Sequence, residues 1–150
     1  MTRPLTQLLA ALLLATAPMV HAAPLAEAAS PAASAEIKVV YHVNDASIAR
    51  AVLNNLNNHL NANPATKIVV VTHGKGIDFL LNDAKDDKGA FEPQVAGLRE
   101  RGVDFRVCRN TLNSRKLNDD AVIMEAKVVP SGVAEIAMLQ AKEGYVYLKP

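Results

Sequence analysis

Five short runs of β-branched and apolar residues alternate along the chain with segments whose apolar residues recur every three or four positions. The first run, Ile37 to Val43, predicts a buried strand. Asn44, Asp45 and Ser47 then supply helix-capping side chains, and Ile48, Ala49, Val52, Leu53, Leu56 and Leu60 line one face of a helix ended by Asn63 and Pro64. The opposite face is rich in asparagine, a poor helix former, so tertiary packing must hold this helix. Lys67 to His73 predicts a second strand that stops at Gly74, Lys75 and Gly76. Ile77 to Leu81 suggests a short helix, and the polar stretch from Asn82 to Gly89 a loop. Phe91, Val95 and Leu98 mark a helix that Gly102 terminates, and Val103 to Cys108 is the third strand. Asn110 or Thr111 can cap a short helix through Leu117, and Lys127 to Pro130 is the fourth strand. Ser131 caps a helix carrying Val133, Ile136, Ala137, Gln140 and Ala141 on successive turns, with Glu135 placed to support the cap and Gly144 to end it. Tyr145 to Leu148 is the last strand.

Strict alternation of strand and helix with short loops implies an α/β domain with right-handed crossovers and a parallel sheet covered on both faces. Functional groups of such sheets collect beyond the carboxyl ends of the strands. Here those ends are Asn44 and Asp45, His73 to Gly76, Cys108 to Thr111, and Pro130 to Gly132, which should share one rim.

The N-terminus changes the setting. Arg3, an apolar run from Leu8 to Val20 and the sequence Val20, His21, Ala22 suit a cleavable secretory signal over residues 1–22. The run falls short of the roughly 20 residues of a membrane span, so stable insertion is not expected after cleavage; an uncleaved anchor is the alternative. No cysteine follows it to carry a lipid. Residues 23–36, mostly Ala, Pro and Ser, predict a disordered leader, and 37–150 a single folded domain. A periplasmic location follows from this reading.

The chain has 16 basic and 15 acidic residues, and removal of 1–22 takes away Arg3 alone, leaving the charges balanced. That balance argues against a nucleic-acid partner and does little to oppose self-association.

Export makes Cys108 conspicuous, because it is the one cysteine in the chain and has no intramolecular partner. The helix start behind it, Arg109 beside it and Arg106 two residues back each favour the thiolate, the form that attacks a disulfide or accepts sulfane sulfur. The alternative is a small buried hydrophobe. His73 is the histidine placed to join Cys108 as a base or hydrogen-bond partner, whereas His42 and His59 read as structural or solvated. The three are not spaced as a metal site, and no cofactor is implied. Gly74, Lys75 and Gly76 lack the hydroxyl of a phosphate loop and read first as a tight turn, with anion or nucleotide binding as a weaker alternative. Asp86, Asp87, Asp119 and Asp120 read as solvated loop charges, and Met124 and Met138 as core.

Three stretches carry a family resemblance: Val69 to Asp78, Gly102 to Leu112, and Val129 to Ile136 continuing through Gln140 to Tyr147. The chain resembles the DsrE-like family, within the wider group of DsrE/DsrF/DsrH and TusBCD sulfur-relay proteins. The resemblance implies a three-layer α/β/α sandwich with a five-stranded parallel sheet, and a homo-oligomer, often a trimer or hexamer. It implies a sulfur carrier or sulfurtransferase that holds sulfane sulfur on Cys108 as a persulfide and exchanges it with donor and acceptor proteins. Arg106, Arg109, Asn110, Thr111, His73, Gly74 and Gly76 would form the rim that stabilises the thiolate or binds the sulfur partner. The competing reading is a non-catalytic oligomeric binding protein in which Cys108 is structural.

Overall fold

The computed structural model describes residues 36–150. The expected signal segment, 1–22, and the leader, apart from Glu36, lie outside the described residues. The β-branched runs form strands β1 (Lys38–Val43), β2 (Lys67–Thr72), β5 (Asp104–Cys108), β6 (Ala126–Val129) and β7 (Val146–Leu148), with two minor strands, β3 (Lys85–Asp86) and β4 (Gly89–Ala90), between β2 and β5. All neighbours among the five main strands are parallel, in the order β6-β5-β2-β1-β7. The helices between them are α1 (Ala49–Ala62), α2 (Glu92–Glu100), α3 (Arg109–Ser114) and α4 (Gly132–Glu143).

The two sheet faces are buried very differently. On one face Tyr41, Val70, Phe105 and Val107 pack with Val52, Leu53 and Leu56 of α1, Val95 and Leu98 of α2 and Leu112 of α3 in one continuous core. The other face has a small cluster, Val40, Val69 and Val71 against Ile136 and Leu139 of α4. Strand alternation then places His42, Arg106 and Cys108 on the α4 face, in the same row as Val71 or at the same pleat parity.

Several local expectations give way to packing. The polar stretch after residue 82 contains a small antiparallel hairpin, β3 with β4. Arg50 of α1 holds it, pairing with Asp86 at 2.9 Å while its guanidinium lies over the Phe91 ring at 4.2 Å, so Asp86 is not a free loop charge. The helix expected over Ile77 to Leu81 is a 3-10 helix, Gly74–Leu80. Met124 and Met138 are not core: they are 90% and 46% exposed. Met138 misses the core because α4 buries Gly132, Ile136 and Leu139, turning Val133, Ala137 and Met138 outward. Gly144 does end α4, in the left-handed conformation at φ 74°.

Gly76 is where β1 meets the loop after β2. A Cβ built there would stand 2.6 Å from the Val43 carbonyl carbon and closer still to its oxygen. Neither is the end of a flexible side chain, so the backbone itself must move. Gly76→Ala is expected to lower stability by about 3 kcal/mol, in the range of severe overpacking. Gly97→Ala, inside α2 with nothing within 4 Å of the new Cβ, should raise stability by about 0.5–1 kcal/mol. Urea unfolding midpoints of the two variants check the contrast.

Candidate functional site

Cys108 ends β5 and stands at the N-cap of α3. It pairs laterally with Val129, the last residue of β6, after which Pro130 and Ser131 lead into α4. Two helices therefore begin beside one thiol, which is only 5% exposed. Ser131 caps α4, its hydroxyl accepting from the Ala134 N–H at 3.4 Å. Gly132 follows, and the space there is closed: a Cβ would lie 3.2 Å from Cys108 Cβ and 3.3 Å from both His73 Cβ and the Thr72 carbonyl oxygen. Glycine lets the first turn of α4 press against β5 and β2 together.

This approach bears on the ionisation of the sulfur. Burial pushes the Cys108 thiol up, but the Gly132 N–H, the Thr111 N–H and hydroxyl, and the Asn110 N–H donate toward the sulfur and bring it below the ordinary thiol value. Thr111 Oγ1 meanwhile accepts from the Gly74 N–H at 3.0 Å, leaving its own hydrogen for the sulfur. Thr111 and Asn110 thus stand directly against the thiol.

The two arginines are engaged elsewhere. Arg106 shares the α4 face with Cys108, yet its Nε and Nη2 donate to Asp104 Oδ2 at 3.0 and 2.7 Å and its Nη1 to Glu135. Lys127 closes on the same Asp104 oxygen at 2.8 Å. Burial works against the Arg106 charge, but the two carboxylates hold its pKa above the ordinary value. Arg109 is turned to Asp119 in a two-pronged pair, so Asp119 is no free loop charge. Cations already neutralised by carboxylates leave the thiolate to neutral backbone donors. Arg106 instead joins Glu135 in fastening β5 to the first turn of α4, and so Glu135 serves an ion pair rather than the expected capping box.

His73 extends β2 by one residue in extended backbone, φ −153° and ψ 172°. Its Nε2 lies 2.6 Å from His42 Nε2, with the two rings stacked at 4.7 Å between centroids. His42 Nδ1 is in turn 2.7 Å from the Tyr147 hydroxyl. His42 therefore belongs to the rim. The sequence reading of His42 as structural or solvated is corrected here: the register of β1 on β2 sets His42 opposite Val71, beside His73. His59 is elsewhere, its Nδ1 2.9 Å from the Tyr41 hydroxyl. The glycine turn is occupied by protein groups: the Gly74 carbonyl accepts from Arg115 Nη2 at 2.7 Å, and the Gly76 N–H reaches the His73 carbonyl at 3.0 Å. That closure disfavours a phosphate site. Among the described residues no group of three or more His, Cys, Asp or Glu side chains is placed to hold a metal ion.

The profile of the DsrE/DsrF-like family matches residues 20–150. Among solved structures, MTH1491 from Methanobacterium thermoautotrophicum, a protein of unknown function, is 28% identical and superposes with a TM-score of 0.70 over 77% of this chain and 100% of that one. The ychN protein of E. coli shares the fold at 13% identity, with a TM-score of 0.59 over 77% of this chain and 98% of its own. No curated protein matches the chain significantly in sequence.

The thiolate is the reactive form, so alkylation should accelerate with pH around a midpoint below that of an ordinary thiol. Gly132→Ala should move that midpoint up by about one unit, since a hydrogen bond to a charged group is worth about 1.5–3 kcal/mol and one unit about 1.36 kcal/mol. Glu135→Gln should move it the same way by less. Iodoacetamide rates across pH measure both shifts, and an unmoved midpoint in Gly132→Ala would exclude the α4 donor.

Proposed function

This chain belongs to the DsrE/DsrF-like family, and on that premise we propose that it is a sulfur carrier that holds sulfane sulfur on Cys108 as a persulfide. The observation that carries the reading is the convergence of backbone N–H groups from two helix starts, with the Thr111 hydroxyl, on one sulfur whose pKa is lowered despite burial. A cysteine kept only for packing shows the reverse, a thiol raised by its apolar surroundings.

The chemistry needs no redox partner. The Cys108 thiolate attacks the outer sulfur of a donor persulfide, R–S–SH. A sulfur–sulfur bond to Cys108 forms as the donor's sulfur–sulfur bond breaks, and the bonding electron pair leaves with the donor thiolate. Sulfane sulfur moves from one thiol to another with its oxidation state unchanged. The donors around Cys108 suit the thiolate that makes the attack, and the charge leaves with the donor.

The proposal extends to setting and assembly. The pattern of residues 1–22 supports export, and with it a periplasmic carrier. Val133 and Met138, exposed on the outer face of α4, support burial of that helix face in a homo-oligomer. The competing role, a non-catalytic binding protein with a structural Cys108, predicts a slow native thiol and normal assembly in Cys108→Ser.

Incubation of the reduced protein with inorganic polysulfide should add one sulfur to the intact mass, removable by dithiothreitol. Cys108→Ser should gain none. Equal uptake by Cys108→Ser would refute the carrier reading.

A further inference from the structure

Cys108 is almost closed from solvent, yet a thiol that cycles between thiolate and persulfide chemistry has to trade protons with water. The α4 face of the sheet supplies a route. The order β5-β2-β1-β7 lines up the carboxyl-terminal parts of four strands, and on one face these carry Cys108, His73, His42 and Tyr147 in turn. Thr72 pairs with Val107, so His73 follows β2 where Cys108 ends β5. Both side chains crowd the same missing Cβ of Gly132. His73 meets His42 at 2.6 Å, and His42 meets Tyr147 at 2.7 Å. Tyr147 is 41% exposed.

From this row of side chains we infer that His73, His42 and Tyr147 form a proton relay joining the buried thiol to solvent at the sheet edge, an inference that rests on the sulfur-carrier reading of Cys108. Two imidazole nitrogens 2.6 Å apart hold one proton between them; two would set N–H against N–H. One ring therefore donates through Nε2 while the other accepts. His73 Nδ1 has no protein hydrogen-bond partner among the described residues, and the relay assigns this nitrogen to the neighbouring thiol, whose Cβ stands beside that of His73 at Gly132. When the donor departs as a thiolate, His73 gives it the Nδ1 proton. His42 passes its Nε2 proton to His73 Nε2 and takes one at Nδ1 from the Tyr147 hydroxyl, and water returns a proton to the Tyr147 oxygen. Atoms and charge balance: persulfide plus Cys108 thiolate plus one proton from water yields donor thiol and the Cys108 persulfide.

The surroundings disfavour a charge on His42. Burial first, then His73 and Lys149, pushes the His42 pKa below its ordinary value. Charged groups facing this row include Arg106 with its Asp104 and Glu135 partners and Lys127, which also pairs with Asp104. Lys75 and Asp45 lie farther along the rim, where Lys75 helps lower the Asp45 pKa after its Ser47 hydrogen bonds.

The test is single-turnover sulfur transfer from cysteine persulfide, followed by quenching and intact mass across pH. Tyr147→Phe and His42→Gln should slow uptake by about 100-fold, the lower end of general acid–base effects, yet still reach one sulfur per chain. Added imidazole should restore most of the rate. Wild-type speed in both variants, or uptake that stops short of one sulfur with a normal urea midpoint, overturns the relay. Should the wild type take up no sulfur, the carrier reading fails separately, and iodoacetamide decides the relay. A coupled pair then gives two inflections in the wild-type pH profile and one in His73→Gln, whereas matching profiles overturn it.

Discussion

The site depends on one close approach, the first turn of α4 pressed against the carboxyl ends of β5 and β2 at Gly132. Any side chain there would touch Cys108, His73 and the Thr72 carbonyl at once. With hydrogen in its place, the Gly132 N–H reaches the sulfur, and one helical turn later Ile136 lands on Val40, Val69 and Val71. The Arg106–Glu135 pair fastens the same turn from the side. Packing, capping and electrostatics at the thiol are thus consequences of a single missing methyl.

The unequal burial of the two sheet faces explains where chemistry can sit. The face carrying α1, α2 and α3 holds the large core, including Phe79, Phe105, Leu53 and Leu56. Stability is concentrated there. The α4 face has a small apolar cluster and is otherwise furnished with Asp104, Arg106, Lys127, His42 and Tyr147. Polar groups on this face find partners among themselves, so the burial of each is compensated. A face with a modest apolar share is free to carry titratable groups without weakening the main core.

Neutral donors rather than cations stabilise the thiolate, and this has a physical consequence. An arginine beside a thiolate draws carboxylates as well as sulfur, and here both Arg106 and Arg109 have been claimed by carboxylates. Backbone N–H groups at helix starts have fixed positions and no such competitor. They favour an anion at one point in space, and the Thr111 hydroxyl, fixed by the Gly74 N–H, adds a donor of defined direction.

The order of the five main strands and the helices between them, the parallel α/β class, the cap at Ser131, the stop at Gly144 and the position of Cys108, Thr111 and His73 at strand ends were all legible in the sequence alone. These are local properties: period two or 3.6, a capping oxygen, a glycine past a helix end. Partners, by contrast, were settled in three dimensions. Strand order put His42 of β1 against His73 of β2 and Tyr147 of β7, across intervals of 31 and 105 residues. The rotation of α4 about its axis made Ile136 and Leu139 buried and Val133 and Met138 exposed, a difference of one position that an Ala-rich helix does not encode. Arg106, close to Cys108 in sequence, looked like a counter-ion, but charge goes to the nearest opposite charge in space, and Glu135 stands there only once α4 has docked. Periodicity is written in neighbours along the chain; pairing is written in the fold.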